Sequence, residues 1–536
     1  LQLGVAAIAF GVMIPVVMLC WQATQSDFSQ WSHLYQYVLP GALMNTGILL
    51  TGVGVLVMLI GTASAWAVTM WEFPGSKMLS WALLLPLAMP TYMIAFAWLD
   101  FLHPLGPLQT VIRWVLGYDS PRQFRLPELR SMGGTILLLG LVLYPYVYLT
   151  TRTLFMSQPA HLLEASRTLG CSATGAFFRV MLPMARPALA VGLSLALLET
   201  LNDIGASEFL GIQTLTVTVY TTWITRSDLA SAAQIACLVL LFISFILTME
   251  FYGRHRQGFS SRNLRSVRAK RAIGWHAWGL TALCSLPVML GFVIPVSYLA
   301  WSSFKRLAEG HSLSPALLDA LQNTFTLAVG ATFTVCAVGL LVAWNARHMA
   351  VGNPLHGMRR GLLRMASVGY AIPGTILAIG FLPPAIAADR WLAGMLGMQG
   401  LPLMSSGVLL VTCCVIRFQA IAIGALDSGL TRISPTLEQA SRLLGENGAG
   451  TFTRIHLPLL RPALVSSALL VFTDVMKELP TTLLLRPVNF ETLSTLLYAE
   501  AARGTYEDGI IAGLMIVLVG TLPVLFLARH QLQQRT

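Results

Sequence analysis

The sequence predicts an all-α polytopic membrane protein of about twelve transmembrane helices, built as two homologous six-helix halves related by a pseudo-two-fold axis along the membrane normal. Three observations lead there. Hydrophobic residues make up 55% of the 536-residue chain and charged residues only 11%, with a mean hydropathy of +0.70, whereas a soluble protein carries about 25% charged residues. Apolar runs of about twenty residues, the length that crosses a bilayer as a helix, return along the whole chain. Finally, the stretch Ala165–Leu189 recurs at Ala440–Leu464, with 14 of 25 positions identical at a constant offset of 275.

The apolar runs place spans near 2–22, 42–70, 78–102, 132–154, 188–211 and 231–251 in the first half. In the second half they fall near 274–300, 319–346, 362–388, 404–429, 463–485 and 508–528. The first run opens without a basic segment or a small-residue cleavage site, so it reads as a membrane helix rather than a signal peptide. The second span of each half is justified by a shared pattern: Asn45-Thr46, Gly52, Gly61 and Ala65-Trp66 match Asn323-Thr324, Gly330, Gly339 and Ala343-Trp344 at offset 278. The third spans share Ala88-Met89-Pro90 and Ala371-Ile372-Pro373, and the sixth spans follow Thr214-Leu215 and Thr492-Leu493. Six spans per half is an even number, so both halves enter the membrane in the same sense, and a pathway is expected where the halves meet.

With the N-terminus in the cytoplasm, most of the Lys and Arg residues fall in cytoplasmic segments, as the positive-inside rule requires. This topology, rather than nucleic-acid binding, accounts for the net charge of +11. The organisation is a first half at 1–253, a basic cytoplasmic linker at 254–273 and a second half at 274–536. Arg254–Arg271 holds seven basic residues and no acid, which suits contact with anionic membrane lipid. The seven cysteines lack the spacing of a disulfide framework or a zinc site, and no histidine pairs suit haem ligation.

The repeated segment is polar, bears arginines and is interrupted by glycine, unlike its surroundings. In Leu162–Gly170, positions three and four apart meet on a helix, which puts Ala165, Ser166 and Leu169 on one face, small enough for close approach of a partner. Gly170 permits the left-handed turn that ends a short helix, and Pro183 and Pro187 mark the return to the membrane. Two short cytoplasmic helices joined by a turn are expected, and expected again at Leu437–Gly445. An amphipathic loop lying on lipid would explain one such copy better than two.

Glu164–Pro183 reads E-A-S-x(3)-G-x(11)-L-P and resembles the EAA loop of binding-protein-dependent ABC importer permeases. The resemblance implies that Glu164, Ala165, Ser166, Gly170, Leu182 and Pro183 dock into a cleft of a cytoplasmic ATPase. The same follows for Gln439, Ala440, Ser441, Gly445, Leu457 and Pro458; here Gln439 stands in place of the first copy's Glu164, with Glu438 one residue earlier. The fused halves, Phe472–Pro487 and Glu199–Gly205 are similar to the ferric-iron import permeases, although fused relatives also move ligands such as thiamine. The chain contains no Gly-Lys dipeptide, so it lacks the phosphate-cradling loop of P-loop ATPases. The resemblance therefore implies a non-enzymatic permease of the bacterial inner membrane. Two copies of a separate ATP-binding subunit would carry the ATP and Mg, a periplasmic iron-binding protein would deliver Fe3+, and transport would proceed by alternating access. No cofactor is expected on the chain itself.

Ionisable residues inside spans are the default pathway candidates. The repeat pairs Glu199 with Asp474 and Asp203 with Glu478, each pair spaced i, i+4 on one predicted helical face, with Gly205 and Pro480 as breakers just beyond. Hard cations prefer carboxylate oxygen, so Glu199, Asp203, Asp474 and Glu478 are candidates for transient contact with iron. A structural role is the alternative, since Lys477, Asn202 and Arg417 could each neutralise an acid. An ion-gradient-driven secondary transporter would also use buried carboxylates, but would not need twin docking loops. The outside loop His103–Ser131, with Trp114, Tyr118, Arg122, Arg125 and Arg130, could meet a delivery protein or simply be solvated.

Overall fold

The computed structural model describes residues 2–25, 34–157, 166, 168–254, 269–310, 313–348, 368–397, 401–503 and 507–533. Among them, nine helices are long and apolar enough to span a membrane, and a bent pair makes a tenth; at the first and last of the twelve expected spans lie two shorter apolar helices, Ile8–Ala23 and Gly509–Leu525. In chain order the first half contributes α1 (Gln2–Ala23), α2 (Leu39–Met70), α3 (Ser76–Ala82), α4 (Thr91–Phe101), α5 (Pro107–Leu116), α6 (Met132–Ser157), α7 (Leu182–Asn202), α8 (Gly205–Phe209), α9 (Leu215–Arg226) and α10 (Leu229–Arg254). The second contributes α11 (Trp275–Val288), α12 (Ile294–Ala308), α13 (Pro315–His348), α14 (Gly374–Leu396), α15 (Val408–Thr431), α16 (Pro435–Leu443), α17 (Leu457–Met476), α18 (Pro480–Leu485), α19 (Leu493–Arg503) and α20 (Glu507–Gln533).

Two compact units form. One consists of Leu1–Asp27, Val219–Cys237 and Leu313–Glu500, the other of Phe28–Thr218, Leu238–Ser312 and Ala501–Thr536. The first is built on α13, α15 and α17, with α1 against α14; the second is built on α2, α6 and α7, with α12 against α4 and α20. Each unit is thus the core of one half joined by the opening helix of the other half. The repeat is visible as the same three-helix core made twice.

Lipid offers no hydrophobic drive for helix association, so close approach through small residues matters instead. A Cβ on Gly61 would lie 2.8 Å from Val147 and 2.9 Å from the Tyr148 backbone, and one on its repeat mate Gly339 would lie 2.7 Å from Ala422. Apolar side chains face outward: Leu241, Phe245 and Met249, four residues apart along α10, are all exposed, as a lipid-facing stripe requires. The repeated polar pairs are brought together in each unit. Thr46 accepts from the Leu215 N–H at 2.9 Å and Thr324 from the Leu493 N–H at 2.8 Å. Asn45 donates to Gln213 O and Asn323 to Glu491 O, at 3.1 and 2.9 Å.

Three predicted spans need correction. The run 78–102 is not one helix: Ser76–Ala88 and Thr91–Phe101 meet at 92°, because Pro90 cannot donate to the ladder and disfavours helix before it. The runs 188–211 and 463–485 both stop early, at Asn202 and Met476, and restart as α8 and α18. The predicted start at 362 lies outside the described residues.

Candidate coupling and translocation site

The repeated segment folds alike in both halves wherever it is described. Gly170 and Gly445 take φ of +84° and +83°, the left-handed region that glycine enters without a Cβ clash. The N–H of Cys171 then bonds Ser166 O at 3.0 Å, and that of Glu446 bonds Ser441 O at 3.1 Å, which is the closing bond of a Schellman helix end. Next, Ser172 and Asn447 cap the following turn by accepting from the N–H of Gly175 and Gly450, at 3.1 and 2.7 Å. A π turn follows in each copy, with Leu182 N–H bonding Phe177 O and Leu457 N–H bonding Phe452 O. It sits immediately before Pro183 and Pro458, whose missing N–H groups would otherwise break an α-helical turn there. Trp66 and Trp344 hold these turns through Phe177 and Phe452, with ring centroids 4.6 and 4.3 Å apart.

One predicted face divides. Ser166 and Ser441 are buried, and the Ser441 hydroxyl bonds Thr451 Oγ1 at 2.9 Å, so serine ties the tip together. Leu169 and its mate Leu444 are each 84% exposed. Gln439, Ala440 and Gly445 are exposed too, Leu182 and Pro183 are half-buried, and of the second Leu-Pro pair Leu457 is half-buried and Pro458 exposed. Glu164 and Ala165 lie outside the described residues.

The second copy carries a clamp that the sequence did not signal. Glu438 accepts from the Arg347 guanidinium, Arg347 also bonds the carbonyls of Leu430 and Ile433, and His456 Nε2 lies 2.9 Å from Glu438 Oε1. Partial burial would raise the Glu438 carboxyl, but the Arg347 hydrogen bond and charge, with His456, hold it below its ordinary value. At the repeat-equivalent positions of Arg347 and His456 the first half has Thr69 and Met181, so this charged anchor belongs to one tip.

The intramembrane acids do not share one helical face as their spacing predicted. Asp203 and Glu478 have left their helices and sit in the breaks, because each caps the short helix that follows. Asp203 accepts from the Ser207 N–H and hydroxyl, both at 2.8 Å, and from the Thr91 hydroxyl at 2.6 Å. Glu478 accepts from the Thr481 N–H at 3.0 Å and from Arg417 Nη1 at 2.7 Å. Both carboxylates are buried. Glu199 and Asp474 remain on α7 and α17, half-buried, and Asp474 pairs with Lys477 at 2.8 Å.

Thr91 and Gly374 complete this comparison, for they follow the repeated Ala-x-Pro signatures and open α4 and α14. In one half the threonine hydroxyl bonds the acid. In the other, a Cβ on Gly374 would collide with Arg417 and Thr481, so the missing side chain makes room for the cation. The Ala-x-Pro match was readable in sequence; its meeting with the acid was not.

Residues 57–260 match the family described as binding-protein-dependent transport system inner membrane component. The Fe(3+)-transport system permease protein FbpB 2 of Haemophilus influenzae is 23% identical over 99% of this chain and 98% of its own length. The ferric transport system permease protein FbpB of Actinobacillus pleuropneumoniae is 22% identical over 68% of this chain and 53% of its own. A putative 2-aminoethylphosphonate transport system permease protein, PhnU of Salmonella choleraesuis, is 29% identical over 42% of this chain and 77% of its own. Among solved structures, a chain of a bacterial alginate ABC transporter in complex with a periplasmic protein aligns over 48% of this chain at 18% identity, with a TM-score of 0.38. The stretch 57–260 holds the first Gly-ended loop and the first acid pair, and the second half repeats both: that stretch matches the family of binding-protein-dependent inner-membrane components, and the chain as a whole is similar to multi-pass ABC importer permeases.

Proposed function

We propose that the chain imports ferric iron, received from a periplasmic binding protein and moved by alternating access with two copies of a separate cytoplasmic ATPase. End-to-end similarity to the Haemophilus ferric permease carries the choice of cargo; the phosphonate relative covers less than half of the chain. The two leucine-tipped, glycine-ended loops support docking of two ATPases, since apolar tips of this exposure favour a partner surface over water.

Of the four acids, Asp203 and Glu478 act in this reading as locks that fix the helix breaks, their oxygens already engaged by protein donors. Glu199 and Asp474, half-buried within their helices, are the better lining for a cation's path, with Lys477 tempering Asp474 so that cargo is not held. The test is reconstitution in liposomes with the ATPase and an iron-loaded binding protein. ATP-dependent uptake of radiolabelled iron is expected, with loss on Glu199→Ala/Asp474→Ala. Uptake of thiamine or 2-aminoethylphosphonate instead of iron would overturn the cargo, and uptake abolished by an uncoupler but not by ATP depletion would overturn the mechanism.

A further inference from the structure

We propose that the end of the basic linker, where it meets α11, is a binding site for an anionic phospholipid headgroup of the cytoplasmic leaflet. Trp71–Glu72, directly after α2, pairs in parallel with Lys270–Arg271, and the Ala272 N–H bonds Glu72 O at 2.8 Å. Thr281 of α11 donates to Pro74 O at 3.0 Å. The last basic residues of the linker are therefore fixed against two spans. Between them lies a groove of about 580 Å3, lined by Glu72, Phe73, Arg271, Ile273, Ala277 and Trp278 among others.

The side is set by Trp66, which sits near the end of α2 and packs on Phe177 of the first docking segment. The groove thus opens on the face that carries that loop. Its chemistry is two-part. Lys270 and Arg271 are exposed, and among the described residues neither has an ion-pair partner. Beside them, Ile273 is 80% and Trp275 92% exposed, and Trp278 presents its ring one turn along. Cations next to apolar and indole groups at the mouth of a membrane helix match a phosphate above acyl chains. A water-facing protein surface would not leave such groups bare. Glu72 is the one acid in the groove, and it disfavours a second negative group deep inside, so the phosphate is expected at Arg271 on the rim.

The test uses the full chain in nanodiscs of phosphatidylethanolamine doped with phosphatidylglycerol, comparing wild type with Lys270→Glu/Arg271→Glu. Lipids retained per molecule are counted by native mass spectrometry, and indole quenching is followed with brominated phosphatidylglycerol. Apparent affinity for the anionic lipid should fall about tenfold or more in the variant, with phosphatidylethanolamine retention unchanged and the thermal transition preserved. Trp278→Ala should remove that indole's share of the quenching while keeping part of the phosphatidylglycerol. Equal retention in variant and wild type would overturn the proposal, as would equal loss of both lipids. Loss of ATPase co-purification with lipid retention intact would assign the patch to protein docking and overturn it as well.

Discussion

At the scale of single residues, the buried Arg417–Glu478 pair and its hydrogen-bonded counterpart Asp203–Thr91 solve one problem in two ways. A carboxylate capping a helix break in the membrane must have its charge answered, because an unpaired buried ion costs several kcal/mol. Replacing Arg417 with Met, or Glu478 with Gln, should each lower stability by about 3–5 kcal/mol, whereas the double replacement should recover much of it; thermal unfolding in detergent measures both. Gly374→Ala should give a loss of the same sign, because its methyl would displace Arg417, and Gly374→Ala on the Arg417→Met background should cost less. These acids were visible in the sequence as repeat mates. Their departure from the helix was not, since i, i+4 spacing describes a face only while the helix continues, and Gly205 and Pro480 open new helices rather than interrupt old ones.

At the scale of elements, the two loop tips proposed to dock the ATPase depend on one backbone conformation each. Valine at Gly170 or Gly445 should cost about 1–2 kcal/mol per site for the left-handed turn and release the ATPase in pull-downs, whereas asparagine should retain it. The second tip has a further dependence on pH. Because Glu438 is held below its ordinary value of 4.5, its contribution is complete above that value and fades as pH falls through the lowered one. Limited proteolysis of wild type and Glu438→Gln should therefore differ at neutral pH and converge only in acid well below the ordinary carboxylate value of 4.5; profiles that coincide already at neutral pH would show that the carboxylate is not what anchors the tip. The glycine, the leucine and the Leu-Pro return were legible because they recur. The clamp on Arg347 was hidden, since its residues come from α13, α16 and a π turn, and the first half has Thr69 and Met181 where Arg347 and His456 stand.

At the scale of the whole molecule, the duplication and most of the spans were readable from hydropathy and offset alone. How the compact units form was not, because periodicity says which faces are apolar and not which helix covers them. Each unit draws its opening helix from the other half, so a chain cut within the linker should behave distinctively. Fragments 1–253 and 274–536 expressed alone should aggregate or be degraded, while their co-expression should restore a monodisperse complex by fluorescence-detected gel filtration. Well-behaved single fragments would contradict this. The exchange has a further meaning for how such a protein is made and kept. Parting the halves would require dragging a lipid-soluble rod out of its neighbours, so pairing is decided once, during synthesis and insertion, and no mature molecule can later trade one half for a foreign one.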